Sequence, residues 1–377
     1  MQWFVTVSEG FEDVSANELM EFRAVVTDVC RGRVFFKGDL RLMYLINYMA
    51  RTINRLFILL SRERISKLDD IYRVIKSIDF TNYVKPTQSF AIRAERVGKH
   101  DFTSMDIRRI AGQAVIDSYR DSSGVRLRVN LDNPDIEIYT YLIENEFIVG
   151  INTTGESLHK RRYRVYDHPA ALKPVIASSM LRLVNYDGSP LIDPMCGGGT
   201  IAIEAAHMVR KYPIFLFRDD YLLYKLRLYD EDLDKEIRDS LIDNIKLKKP
   251  YIACSDISPK HVAGALMNTY SGMVLDTVKV FVSDATSEET YGFNEVFKYV
   301  VTNPPYGIRS FDIKKVHILY TKLLKTLSKV LHNSVLTVIT GSYEDFRKAI
   351  LKVGVEVLHE RFVRHGDLLA KVFIVRL

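Results

Sequence analysis

The chain has 377 residues, a length that at roughly 100–200 residues per domain predicts two or three domains and excludes a peptide or a lone binding module. Hydrophobic residues make up 47% and charged residues 27%, which excludes a disordered or low-complexity chain. The 53 Lys and Arg residues exceed the 47 Asp and Glu residues by six, an excess that permits an anionic partner but does not identify one.

The cysteines and the apolar segments indicate the compartment. Cys30, Cys196 and Cys254 are too few and too scattered for a disulfide framework or a Cys-ligated zinc site, and we predict no metal site. The N-terminus resembles no signal peptide, and no apolar stretch approaches the ~18 residues of a membrane span. We therefore expect a cytoplasmic protein without a membrane partner.

The first predicted elements alternate between strand and helix. Strand-like alternation over residues 3–7 is followed by helical spacing over 11–22, extended segments over 25–36 and a helix over 40–49. This pattern predicts a small ferredoxin-like α+β domain over residues 1–54.

A second α+β pattern occupies residues 55–153. Its predicted strands lie at 56–60, 89–93, 126–130, 135–142 and 146–152, and its predicted helices lie at 71–78 and 106–119. Residues 90–93, 100–104 and 133–135 resemble a THUMP domain, a module attached to RNA-modifying enzymes. The resemblance implies that the clustered cations Arg93, Arg96 and Lys99 bind RNA.

Residues 154–170 form a predicted basic linker. Lys160, Arg161, Arg162 and Arg164 surround Tyr163, a combination that suits phosphate contacts and base stacking, although a solvated linker has a similar composition. Residues 155–164 resemble the junction of one family of THUMP-linked methyltransferases. That family more often has glycine at the position of Arg162.

A glycine-rich turn follows the strand that ends at Ile192. Such a turn between strand and helix lets a ligand approach the backbone at the positive end of the helix. The segment lacks the dinucleotide fingerprint and the phosphate-loop Lys, and its acid-Pro-x-x-Gly-x-Gly form resembles motif I of S-adenosylmethionine-dependent methyltransferases. The predicted cofactor-binding residues here are Asp193, Pro194, Met195, Cys196, Gly197, Gly198, Gly199 and Thr200.

Two more acidic residues end predicted strands. Asp256 is expected to accept hydrogen bonds from both ribose hydroxyls of the cofactor, and Asp284 from its adenine amino group, with Ile257 and Ala285 beside them. Either Asp also suits an ordinary turn or helix cap. Between motif I and Asp256 lies a largely charged, helical insertion over 211–250, whose role the sequence does not reveal.

The segment Asn303-Pro304-Pro305-Tyr306-Gly307 follows a fourth strand of this domain. The prolines rigidify the backbone and remove two N–H groups, leaving carbonyls to accept hydrogen bonds from a substrate. Hydrogen bonds from an exocyclic amine to the Asn303 side-chain oxygen and the Pro304 carbonyl would direct the nitrogen lone pair at a methyl sulfonium. We predict Asn303, Pro304, Pro305 and Tyr306 as catalytic residues, with Tyr306 stacking on the base and Asn303 also bordering the cofactor.

The remaining elements complete the fold prediction. A helix over 314–330, a strand over 335–340 and a final pair over 357–363 and 370–376 close a seven-stranded sheet whose last strand inserts antiparallel. The expected fold class is α/β, a class I (Rossmann-like) S-adenosylmethionine-dependent methyltransferase domain over 171–377, with the N-terminal ferredoxin-like and THUMP domains.

Taken together, these motifs resemble the THUMP-containing guanine-N2 methyltransferases. The resemblance implies S-adenosylmethionine as cofactor, a monomer, and tRNA rather than DNA as partner, bound through its acceptor stem and 3′ end. It further implies methylation of N2 of guanosine 6, with 23S rRNA and tRNA position 10 as alternative targets. A non-catalytic RNA-binding protein and a nicotinamide-dependent oxidoreductase are the alternatives from other classes.

Overall fold

The computed structural model describes residues 1–293, 295–306 and 313–377, with residues 313–315 described by their backbone alone; Gly307 lies outside the described residues. The strands are β1 (Gln2–Val7), β2 (Val25–Cys30), β3 (Arg33–Lys37), β4 (Ile53–Arg64), β5 (Ser89–Val97), β6 (Arg128–Val129), β7 (Ile136–Ile143), β8 (Glu146–Asn152), β9 (Leu191–Asp193), β10 (Ile252–Asp256), β11 (Val278–Val282), β12 (Tyr299–Thr302), β13 (Val335–Thr340), β14 (Glu356–His365) and β15 (Leu368–Arg376). The helices are α1 (Glu12–Glu21), α2 (Arg41–Met49), α3 (Leu68–Lys76), α4 (Ser104–Ser123), α5 (Pro174–Leu183), α6 (Thr200–Arg210), α7 (Glu231–Asp243), α8 (Pro259–Ser271), α9 (Ile313–Val330) and α10 (Tyr343–Val353). Among the described residues, no helix is both long enough and apolar enough to cross a membrane.

Strand β4 joins the two N-terminal α+β units into one sheet. The strand order is β2-β3-β1-β4-β8-β7-β5-β6, and β4 pairs antiparallel with β1 on one side and β8 on the other. The sequence predicts a strand over 56–60 only, whereas β4 has 12 residues. Its charged end is extended because Arg62 donates to Glu146 of β8 at 2.8 Å, a cross-strand pair that stabilises the added residues.

The two faces of this sheet differ in chemistry. One face packs on helices α1 to α4 through a large apolar cluster. The other carries a buried aromatic layer made of Phe4, Phe35, Phe57, Tyr139, Tyr141 and Ile148. Guanidinium groups cover this layer: Arg33 lies 4.3 Å from the ring centre of Tyr141, and Arg62 lies 3.9 Å from that of Phe35.

The second sheet has the predicted seven strands. Their order is β11-β10-β9-β12-β13-β15-β14, with parallel pairing from β11 to β13. Strand β15 inserts antiparallel between β13 and β14, as predicted. The expected fold class is confirmed, and the carboxyl ends of five parallel strands meet at one edge, where ligands of open α/β sheets bind.

The insertion over 211–250 packs mainly against the N-terminal sheet, while Tyr212, Phe217 and Ile245 pack on the apolar cluster of the second sheet. Its apolar side chains complete the cluster beneath α2, namely Ile214, Phe215, Tyr221, Leu223, Leu226 and Ile237. Helix α7 is hydrogen-bonded to α2, because the hydroxyl of Tyr48 donates to Asp234 at 2.5 Å. The insertion therefore connects the two halves of the chain.

A buried ionic cluster lies at the same junction. The carboxylate of Glu204 on α6 accepts from Arg51 at 3.0 Å, from Tyr163 at 2.8 Å and from Ser178 at 2.8 Å, and Arg161 approaches to 3.4 Å. Burial alone raises the pKa of Glu204, but Arg161 and Arg51 outweigh that effect and hold the pKa at about 2. We call these five residues the Glu204 cluster; it joins the N-terminal sheet, the basic linker and the catalytic sheet.

Candidate active site at the ends of the parallel strands

A cavity of about 910 Å³ opens at the carboxyl ends of β9, β10 and β12. It brings together nearly all predicted cofactor and catalytic residues: Asp193 to Gly198, Thr200, Asp256, Ile257, Asp284, Ala285 and Asn303 to Tyr306. Of the predicted cofactor and catalytic residues, Gly199 alone does not line the cavity. It packs against α8 instead, where a Cβ at Gly199 would lie 3.4 Å from Ala265. Residues about 110 positions apart in the chain thus share one cavity.

The loop from Asp193 to Thr200, here called the glycine loop, is fixed from two sides. Gly197 has a φ of +52° and Gly199 a φ of +79°, which are conformations that favour glycine. The Gly197 amide donates to the Asp256 carboxylate at 3.0 Å. A Cβ at Gly197 would approach the His168 ring to 3.3 Å, so the loop packs closely under that ring. Helix α6 begins directly after the loop and directs its positive end there.

Asp193 acts from beneath this loop. Its side chain is 1% exposed and accepts from the Thr302 hydroxyl at 2.8 Å and from the Met195 amide at 3.2 Å. Burial raises the pKa of Asp193 to about 7, with a smaller contribution from the charge of Asp256. The cavity floor therefore holds a carboxyl whose ionisation a nearby cation would favour.

The other two carboxylates retain acceptor capacity. One oxygen of Asp256 accepts a hydrogen bond from the Ser258 amide, and the other accepts one from the Gly197 amide. A single oxygen of Asp284 accepts hydrogen bonds from both the amide and the hydroxyl of Thr286. Each carboxylate oxygen has two lone pairs, so both side chains can accept further hydrogen bonds from a ligand. The exposed side chain of Ile257 adds an apolar surface beside them.

The Asn303–Tyr306 segment after β12 is held in place by hydrogen bonds that its backbone carbonyls accept. The hydroxyl of Tyr320 donates to the Pro305 carbonyl at 3.0 Å, and the hydroxyl of Ser342 donates to the Tyr306 carbonyl at 2.7 Å. No described residue donates to the Pro304 carbonyl. The Asn303 side-chain oxygen accepts from the Tyr306 hydroxyl, so in this structure Tyr306 is engaged with Asn303. Burial raises the pKa of Tyr306, which keeps its hydroxyl protonated as a donor.

Several residues of the cavity were not predicted. The end of the basic linker covers the glycine loop with residues 168–172, and the His168 ring lies 4.3 Å from that of His261 on α8. Burial lowers the pKa of His168, with the neighbouring His261 adding to the effect. On the opposite side the cavity is lined by Ile318, Leu319, Lys322, His365, Asp367 and Leu368. No local motif marks these residues, because helix α9 and the β14–β15 hairpin reach the cavity only in the folded chain.

Two predictions for the basic linker are wrong. Arg161 is 3% exposed, and its guanidinium is in the Glu204 cluster and donates to the Arg51 carbonyl at 3.2 Å, so it cannot contact RNA. Tyr163 is 1% exposed with its hydroxyl on Glu204, so it cannot stack on a base. A buried carboxylate 41 residues further along the chain accounts for both.

The other predicted RNA-binding cations are accessible, though several are ion-paired. The pairs are Lys160 with Glu156, Arg162 with Asp220, Arg164 with Asp167, and Arg93 with Glu137. Arg96 donates to the Gly98 carbonyl at 3.0 Å, and Lys99 is exposed.

Two cations missed by the sequence analysis lie at the linker. The pKa of His159 is lowered to about 4 by burial and then by the positive charges of Lys173, Arg55 and Lys160, which places these charges around one ring. Arg55, Lys160 and Lys173, here called the linker cations, thus lie near the His159 ring.

Comparison with known families accounts for most of the chain. Residues 161–371 match the family model described as RMKL-like, methyltransferase domain. Residues 66–152 match the THUMP domain, and residues 2–57 match the RlmL ferredoxin-like domain.

Two archaeal relatives align along nearly the whole chain. The tRNA (guanine(6)-N2)-methyltransferase of Methanocaldococcus jannaschii is 42% identical over 386 residues, covering 100% of both chains. The enzyme of the same name from Archaeoglobus fulgidus is 41% identical and covers 99% of this chain and 92% of the relative. A ribosomal RNA large subunit methyltransferase K/L from Pseudoalteromonas atlantica is 28% identical and aligns over 83% of this chain but 45% of its own length.

Solved structures share the fold. SMU.472, determined as a complex with SAH, superposes with a TM-score of 0.89 at 24% identity, covering 100% of this chain and 97% of the other. TrmN from Thermus thermophilus superposes with a TM-score of 0.74 at 21% identity, covering 100% and 99%.

Proposed function

The chain belongs to the RMKL-like methyltransferase family that includes the archaeal tRNA (guanine(6)-N2)-methyltransferases, and from this premise we propose that it methylates N2 of guanosine 6 in tRNA. The observation that carries the proposal is one cavity in which Asn303 and Pro304 face the glycine loop and its two neighbouring carboxylates.

The cavity fits S-adenosylmethionine. The glycine loop lines the cavity with little side-chain bulk, and it lies at the positive end of α6. Asp256 would hold the ribose hydroxyls, Asp284 the adenine amino group, and Ile257 one face of the adenine. Bound there, S-adenosylmethionine supplies a methyl group on a positively charged sulfur.

The protein positions the guanine amine. An aromatic amine is a poor nucleophile because its lone pair is delocalised into the ring. Hydrogen bonds from its two N–H groups to the Asn303 side-chain oxygen and to the Pro304 carbonyl favour a tetrahedral nitrogen with a directed lone pair. The Tyr306 hydroxyl must therefore leave Asn303 when the base enters, which frees the ring to stack on it. The nitrogen becomes cationic as it is methylated and loses a proton readily, so no strong base is required.

Relatedness supports tRNA as the substrate. The two relatives that align along nearly their whole length are named as tRNA enzymes, whereas the K/L relative is less similar and aligns over only 45% of its own length. We assign tRNA binding to the THUMP part and to the accessible basic residues Arg93, Arg96, Lys99, Lys160, Arg162 and Arg164, together with Arg55 and Lys173. The acceptor stem and 3′ end are the proposed contacts, and the protein is proposed to act as a cytoplasmic monomer.

The proposed domain division follows the sequence: 1–54 ferredoxin-like, 55–153 THUMP, 154–170 linker and 171–377 methyltransferase. Because apolar residues between 214 and 237 pack into the N-terminal apolar cluster, we propose that the insertion stabilises the N-terminal half.

The test is transfer of tritiated methyl groups to tRNA transcripts. We expect full labelling with guanosine at position 6 and background labelling with adenosine there, and equal labelling of the two would refute the position. Transcripts of 23S rRNA test the alternative target. Asn303→Ala should lower kcat by about 10²–10³-fold while SAH binding stays within about threefold, because Asn303 acts on the amine.

A further inference from the structure

The cavity extends beyond what cofactor and amine require. Past Asn303 it is lined by helix α9 and by the turn between β14 and β15, where Lys322 and Asp367 bring opposite charges to one space. Resting on the function proposed above, we propose that these two side chains recognise the base: Asp367 accepts the guanine N1–H, and Lys322 donates to guanine O6.

Both charges are available to a ligand. Lys322 and Asp367 are exposed, and no described residue forms a hydrogen bond or an ion pair with either of them. Their neighbours on the same elements are paired: Lys329 of α9 with Glu288, Arg364 of β14 with Glu9, and Lys371 of β15 with Glu360. Unlike those neighbours, Lys322 and Asp367 have no partner among the residues that the structure describes.

Topology places them on the substrate side. The glycine loop, Asp256 and Asp284 follow β9, β10 and β11, which form one half of the sheet. Lys322 and Asp367 come from α9 and from the β14–β15 turn, in the other half, and Asn303 lies between the two sets at the end of β12. Ile318 and Leu368 add apolar walls there, as a flat aromatic base requires.

The chemistry of the pair distinguishes guanine from adenine. A carboxylate only accepts hydrogen bonds and an ammonium only donates them. With N2 held by Asn303 and Pro304, the remaining Watson–Crick groups of guanine are the N1–H donor and the O6 acceptor. Adenine presents an acceptor at N1 and a donor amine at C6, so each charged group would face a group of its own kind. A binding site strongly rejects a base that leaves the polar groups of the site without hydrogen-bond partners.

The experiment uses tRNA assembled with either guanosine or 2-aminopurine riboside at position 6. The analogue retains the 2-amino group but lacks O6 and the N1–H. For the wild-type protein we expect kcat/KM to favour guanosine by at least about 100-fold. Asp367→Ala and Lys322→Ala should each lower kcat/KM on guanosine by about 10–100-fold and change kcat/KM on 2-aminopurine by less than about threefold, so that the preference shrinks. Lys325→Ala, an exposed position three residues along α9, is the matched control and should keep the wild-type preference.

The outcomes separate the two proposals. Wild-type protein that does not label guanosine 6 contradicts the proposed function before any variant is made. Wild-type protein that labels guanosine 6 while both alanine variants keep the full preference overturns the recognition pair alone. Loss of SAH binding in both variants would also overturn it, because the residues would then belong to the cofactor.

Discussion

Asp193 combines burial with a position beneath the glycine loop. With its pKa raised to about 7 in the folded protein, the carboxyl is half protonated near neutrality. The unfolded chain loses that proton near pH 3.9, so this group lowers the stability of the ligand-free protein as pH rises from about 4 to 7. The ammonium group of a bound amino acid moiety near Asp193 would favour the ionised form, so we expect ligand binding to release a proton below pH 7.

We therefore predict that the affinity for SAH falls as pH is lowered through 7, by up to about tenfold per unit. Asp193→Asn cannot titrate and should bind with an affinity that is nearly independent of pH. Calorimetric titration between pH 5.5 and 8 checks this, and the same pH dependence in both proteins would show that another group carries the proton.

Tyr306 has two separable groups, a ring and a hydroxyl. The hydroxyl holds Asn303 in this structure, while the proposed role in the substrate complex belongs to the ring. Tyr306→Phe keeps the ring, and we expect kcat/KM for tRNA within about threefold of wild type. Tyr306→Ala removes the stacking surface, and because stacking of one base contributes about 1–3 kcal/mol, kcat/KM should fall roughly 10–100-fold. Equal loss in both variants, measured by methyl transfer, would assign the role to the hydroxyl.

At this scale the sequence predicts the residues that form local motifs. Asp193 to Thr200 and Asn303 to Tyr306 are recognisable because their backbone requirements are met within a few consecutive residues. His168, Lys322 and Asp367 are not, because each reaches the cavity from an element whose own sequence is ordinary. Arg161 shows the opposite error, because a predicted surface residue is in fact buried. A run of cations in the sequence indicates an exposed segment, and only the structure shows that Glu204 pairs with Arg161 in the interior.

Helix α6 carries the buried carboxylate on which three parts of the chain converge. Replacing Glu204 with glutamine leaves Arg51 and Arg161 charged and buried without the carboxylate that they share. Removing one partner of a buried ion pair costs about 3–5 kcal/mol, and we expect Glu204→Gln to lower the free energy of unfolding in urea by that amount. Asp239→Asn, which breaks the exposed pair with Lys235 on α7, should change it by less than about 1 kcal/mol.

The pH dependence of stability gives an independent check. Because the folded pKa of Glu204 is about 2, below the unfolded value near 4.5, its stabilisation is present above pH 4.5 and is lost as pH falls towards 2. The difference in stability between wild type and Glu204→Gln should shrink over that range. If this difference in stability stays constant with pH, the negative charge of Glu204 is not what stabilises the cluster.

Elements are predicted unevenly, for physical reasons. The parallel strands around β12 are largely apolar segments, and their order in the sheet comes from the structure, whereas their existence follows from the sequence. The length of β4 does not, because its last residues are charged and are held by partners on β8 and β2. The predicted strand over 126–130 is reduced to the two residues of β6, which pair only with β5. Helix α5 was not predicted.

Across the whole molecule, charge is localised rather than abundant. The linker cations Arg55, Lys160 and Lys173 lie near the His159 ring, and we expect RNA that reaches Asn303 to pass them. Each phosphate contact contributes about one unit to the slope of log affinity against log salt concentration. Arg55→Ala and Lys173→Ala should each reduce the slope for tRNA by about 1, measured by filter binding. Lys235→Ala on the insertion is the control, and an equal reduction there would indicate a diffuse rather than a local contact.

The insertion also bears on how the chain is made. Strand β8 completes the N-terminal sheet at Asn152, yet the apolar cluster under α2 is filled only by residues 214–237. While these residues are still being translated, at roughly 5–20 residues per second, a nascent chain exposes that apolar surface on the ribosome for several seconds. A fragment truncated after residue 153 would expose it permanently and should aggregate. The N-terminal half therefore matures only after about the first third of the catalytic half has been synthesised.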